Sequence, residues 1–73
     1  MQKIIEKEYD YILYEDKGKY ILSVLCGTIA VFDVTIMLNQ EETAEYLQKG
    51  ETFLDYFSST IRSYPEDFFE RRI

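Results

Sequence analysis

Two hydrophobic periods divide this chain, and the change between them near Asn39 constrains its fold more than any other feature. Before Asn39, β-favouring residues recur at every second position: Tyr9, Tyr11, Leu13, then Tyr20, Leu22, Val24, then Phe32, Val34, Ile36, Leu38. After it, Leu54, Phe57 and Ile61 recur in steps of three and four. Alternation lines one face of a strand, whereas the three-four step lines one face of a helix. Strands followed by helices in one short chain is the order expected of an α+β fold.

The first two alternating runs flank Asp16-Lys17-Gly18-Lys19, and Gly18 can adopt the left-handed conformation that a hairpin turn needs. Strands are therefore expected over about 5–15 and 19–26. A two-residue Lys17-Gly18 loop sets Tyr14 opposite Ile21, whereas a longer loop with Gly18 at a bulge shifts the register by one; both remain open. Cys26-Gly27-Thr28 reads as a second turn leading into a third strand over about 29–38. On that strand Phe32, Val34, Ile36 and Leu38 face the helices, while Ile29, Val31, Asp33, Thr35 and Met37 face away. The second set is still largely apolar, so the back of the sheet is a surface for a partner or a second copy.

Asn39 precedes Gln40-Glu41-Glu42, an acceptor side chain followed by carboxylates that complement the positive end of a helix. A helix over about 40–49 follows, ended by Lys49-Gly50, and then a second over about 51–63 with Leu54, Phe57 and Ile61 as its buried stripe. The even spacing of Leu47, Gly50, Leu54, Phe57, Ile61 and Tyr64 also fits one unbroken helix. Pro65 stops whatever precedes it and suits the first position of a short C-terminal helix over about 65–71, with Glu66 and Asp67 at its start and Arg71 and Arg72 at its end. The expected architecture is a three-stranded antiparallel sheet with all the helices packed on one face, in a single domain spanning 1–73.

A chain 47% hydrophobic and 30% charged lies far from the composition of disorder, so a packed core is expected. Fourteen acidic against eight basic residues leave a net charge of -6, which repels phosphate backbones and anionic lipid. Neither nucleic acid nor membrane is an expected direct partner; a basic protein surface is. The chain has no histidine and a single cysteine, Cys26, which removes the commonest general base, any Cys-His or Ser-His-Asp arrangement, and a zinc site. Gly18, Gly27 and Gly50 are isolated and form no phosphate loop, and the acidic residues do not follow the spacing of a calcium loop. No catalysis, metal or other cofactor is expected. A lone thiol, and no apolar run after Met1-Gln2-Lys3, point to a cytoplasmic protein. The apolar stretch from Ile29 to Leu38 is too short to span a membrane.

What remains is contact. Asp33 interrupts an apolar strand, either as part of a binding face or as a solvent-facing charge that deters aggregation. Glu41, Glu42 and Glu45 beside Tyr46, and Asp55 beside Tyr56, put tyrosines among carboxylates, as in a binding patch for a basic partner. The expected function is that of a small acidic protein-binding module, an inhibitor or immunity-type protein that blocks a basic partner such as a nuclease toxin. Two other readings share these features: an anti-CRISPR-like mimic of nucleic acid, and a self-associating structural or accessory subunit that forms a homodimer through the sheet.

Overall fold

A computed structural model describes residues 1–27 and 29–73. Strands β1 (Gln2–Lys7), β2 (Tyr11–Asp16), β3 (Lys19–Cys26) and β4 (Phe32–Met37) form an antiparallel sheet in sequence order. Helices α1 (Gln40–Lys49) and α2 (Glu51–Ser63) and a 3-10 helix (Pro65–Arg71) pack on it. The α+β class and every helix boundary expected from the sequence hold.

The strand count does not. The sheet has four strands rather than three, because the expected strand over about 5–15 is broken at Glu8-Tyr9-Asp10. The Asp10 amide there donates to the Lys7 carbonyl at 3.0 Å, and Tyr9 adopts a left-handed φ of 62°. Tyr9 is therefore not the first member of the Tyr11, Leu13 alternation; it is 83% exposed on the turn, while Tyr11 and Leu13 are buried. The chain before the turn doubles back as β1 and pairs with β2, with a shift of register between Lys3 and Ile5. The last strand also begins later than expected, at Phe32, and Ile29 and Val31 precede it in exposed positions. Thr28, in the expected second turn, lies outside the described residues.

Two questions left open by the sequence are settled by backbone geometry. Lys17 and Gly18 both have positive φ, 53° and 82°, so the hairpin loop has two residues and Tyr14 lies opposite Ile21. Gly50 has φ 66°, ends α1 by donating its amide to the Tyr46 carbonyl at 2.7 Å, and opens α2, so the helix is broken there. A Cβ on Gly50 would meet nothing within 4 Å, so the left-handed backbone rather than close packing calls for glycine.

The core lies between the helices and one face of the sheet, called the front below. Leu13, Leu22, Val24, Val34 and Ile36 meet Leu54, Phe57 and Ile61, and each such side chain contributes about 1.5–3 kcal/mol by leaving water. Phe57 stacks on Phe53 at 5.3 Å and meets the edge of Phe68 at 5.7 Å, which ties the 3-10 helix into the same cluster. Arg72 then bridges to Ile36, and the Ile73 amide donates to the Thr35 carbonyl at 3.0 Å, so the C-terminal residues lie along the outer edge of β4. Among the described residues, no helix is long and apolar enough to cross a membrane.

Candidate functional site

The residues expected to bind a partner separate into two layers, Asp33 on one side of the sheet and the others on the helices. On the helix side, Glu42 completes a capping box: the Asn39 side chain accepts the Glu42 amide at 2.9 Å, and Glu42 accepts the Asn39 amide at 2.9 Å. The Arg71 guanidinium then donates to both Glu42 oxygens, at 2.9 and 2.6 Å, and to the Met37 carbonyl at 3.0 Å. Burial alone would raise the Glu42 carboxyl, but Arg71 and the Asn39 amide outweigh it and hold it below its ordinary value. This residue is a structural clamp between α1, the end of β4 and the 3-10 helix.

Asp55 is engaged in the same way. It accepts from the Lys7 ammonium at 2.9 Å and from the Tyr11 hydroxyl at 3.0 Å, and these two partners hold its carboxyl below the usual value. Burial first, and the Asp55 carboxylate second, push the Tyr11 hydroxyl up. Glu45 pairs with Lys49 at 2.7 Å, and Tyr46 packs edge-on against Tyr20 with ring centroids 5.2 Å apart. Glu41 and Tyr56 stay exposed; Tyr56 borders a hollow of about 460 Å³ with Glu45, Lys49, Thr52 and Phe53. Of the helix-side acids expected to bind, Glu42, Glu45 and Asp55 are thus engaged by cations of the same chain, while Glu41 is free.

Asp33 lies on the other side of the sheet. Register and alternation place three rows across that back face: Lys3, Tyr14, Ile21 and Met37; then Glu6, Ile12, Ser23 and Thr35; then Leu25 and Asp33. No helix covers these rows. Ser23 and Thr35 satisfy one another at 2.9 Å in the middle of the face; of its apolar residues Met37 is exposed, Ile12, Tyr14 and Leu25 are half-buried, and Ile21 is buried. A concavity of about 260 Å³ opens at the third-row end, bordered by Glu6, Glu8, Tyr9, Ile12, Tyr14, Leu25 and Asp33 among others.

Lys3, Lys19 and Asp16 lie towards the Lys17-Gly18 turn, whereas Glu6, Glu8 and Asp33 lie at the concave end. Glu6 pairs loosely with Lys3 at 3.3 Å, and Asp10 is held by Arg62 and, at 3.8 Å, by Lys7. Arg62 also donates to the carbonyls of Leu25 and Asp10 at 3.0 and 3.2 Å, fixing the floor of the concavity to α2. Among the described residues, Glu8 and Asp33 take part in no ion pair.

Cys26 is buried at the end of β3, its thiol donating to the Val24 carbonyl at 3.6 Å, and burial pushes its pKa up, which disfavours the reactive thiolate. Among the described residues, no group of three or more Cys, Asp or Glu is placed to hold a metal ion.

Sequence reasoning placed Asp33 on the back of the sheet with Thr35 and Met37, but not with the residues of the other strands that share its surface. Ile12, Tyr14, Ser23 and Leu25 follow from the two-residue hairpin loop once that register is chosen. Glu6 and Glu8 do not, because they require β1 as a separate strand. No protein-family model, curated protein or solved structure matches this chain.

Proposed function

We propose that this chain is an acidic protein-binding module that docks a basic protein surface on the open back of its sheet, in the manner of a small inhibitor or immunity-type protein occluding a basic enzyme such as a nuclease toxin. The observation that carries this reading is the uncovered face itself, on which Ile12, Tyr14 and Leu25 line a concave end bearing the unpaired carboxylates of Asp33 and Glu8, with Met37 at the other end of the face. Apolar area at the centre supplies affinity, and unpaired charge at the rim steers an oppositely charged partner. The helix face is the weaker candidate, since Glu42, Glu45 and Asp55 would each have to leave an internal cation to meet an external one.

The reading is tested by capture from lysate at low and high salt with three immobilised proteins: wild type, Ile12→Lys/Asp33→Lys on the sheet, and Glu41→Lys/Glu45→Lys on the helices. The expected result is one basic protein retained by wild type and by the helix variant, released by salt, and missed by the sheet variant. Retention by the sheet variant equal to wild type overturns the proposal. So does a salt-resistant homodimer in sedimentation that the sheet variant dissociates, because the face would then be filled by a second copy.

A further inference from the structure

We infer that the concave end of this face receives a single arginine side chain of the partner, an inference that rests on the docking face proposed above. The recess has an apolar floor in Ile12 and Leu25, aromatic rings in Tyr9 and Tyr14, and carboxylates at its rim in Glu8 and Asp33; Lys7 also lines it, with its ammonium engaged by Asp55 and Asp10. That combination suits a side chain whose stem is apolar and whose head is a flat cation. A guanidinium stacks on tyrosine faces and offers a planar fork to a carboxylate, whereas an ammonium is a compact, strongly hydrated point charge. The arginine stem covers apolar floor while its head stays at the rim. An anion is repelled by the rim.

Tyr9 supports the same occupant from a different direction. A bulky residue at a φ of 62° is a backbone outlier that costs about 1–2 kcal/mol, and a glycine would sit there without that cost. The ring does not offset it by burial, because it is 83% exposed. A strained, exposed aromatic at the rim of a recess is accounted for by a partner that stacks on it.

The test titrates the isotope-labelled full chain with N-acetylarginine amide, its lysine counterpart, and N-acetylcitrulline amide, which keeps the shape of arginine and loses its charge. Arginine is expected to move the amide signals of Tyr14, Ser23, Leu25 and Asp33 at tens of millimolar, lysine several-fold more weakly, and citrulline not at all. Asp33→Asn and Tyr9→Gly should each weaken the arginine response about fivefold or more, the scale of one lost charge-assisted or cation–π contact. Glu41→Gln should leave it unchanged. Equal responses to arginine and citrulline, or shifts confined to α1 and α2, overturn the recess. If the partner is captured through the sheet face while arginine and citrulline act alike, the docking face stands and the recess fails. If arginine fills the recess while capture ignores the sheet variant, the recess stands and the docking reading fails.

Discussion

On the front of the molecule, Glu42 meets Arg71 and a backbone amide, and Asp55 meets Lys7 and a tyrosine hydroxyl; on the back, Asp33 and Glu8 meet solvent. The two sides use the same side-chain chemistry for different ends. Glu42 and Asp55 hold α1, α2 and the 3-10 helix to one another and to the strands, so their charge is neutralised from within. Asp33 and Glu8 hold nothing, and their charge is available to another molecule. Net charge of -6 therefore says less about where a partner binds than does the question of which acids already have a cation.

The comparison breaks most visibly through packing. Leu54→Ala, in the fully buried layer, should lower unfolding free energy by about 3 kcal/mol or more, whereas Met37→Ala on the open face should cost about 1 kcal/mol or less in the same urea titration. Equal losses would mean that the back of the sheet is as structural as the front. The clamp comes next: Glu42→Ala removes half of the capping box and strands Arg71, for an expected loss of about 1–2 kcal/mol.

Acid sharpens the same contrast. The folded-state pKa of Glu42 lies below its unfolded value, so its stabilising effect is complete above the unfolded glutamate pKa of about 4.3 and is lost as pH falls through the lower folded value. Glu42→Gln should flatten the acid limb of the stability profile over that window. Smaller still is Tyr9→Gly, expected to raise stability by about 0.5–1 kcal/mol by relieving a left-handed tyrosine. The smallest effect is that of Asp33→Asn, within about 0.5 kcal/mol of wild type by urea titration, although it removes a charge from the proposed site.

What was legible in the sequence is what short-range chemistry dictates. Asn39 accepts a helix amide and Pro65 ends one helix and opens the next, so those helix ends could be read from single residues, whereas the break at Gly50 stayed open because the spacing of Leu47, Leu54, Phe57 and Ile61 also fits one helix. The turn at Glu8-Tyr9-Asp10 has no glycine, proline or asparagine; only its polarity, next to Glu6 and Lys7, marked it, and the tyrosine alternation ran across it. The ion pairs that engage Asp55 and Glu42 join residues far apart in sequence, Lys7 to Asp55 and Arg71 to Glu42, and no local pattern announces them. Strand alternation alone was enough to place Asp33 opposite the helices.

The central claim, that the back of the sheet and not the helix face is where a partner docks, is tested most directly by a methyl NMR footprint of the chain alone and bound to the basic protein it captures. The account predicts shifted or broadened methyl signals from Ile12, Leu25 and Met37, with Leu47 on α1 unchanged. Perturbation of Leu47, with the three sheet methyls unmoved, would contradict it and return the binding site to the helices.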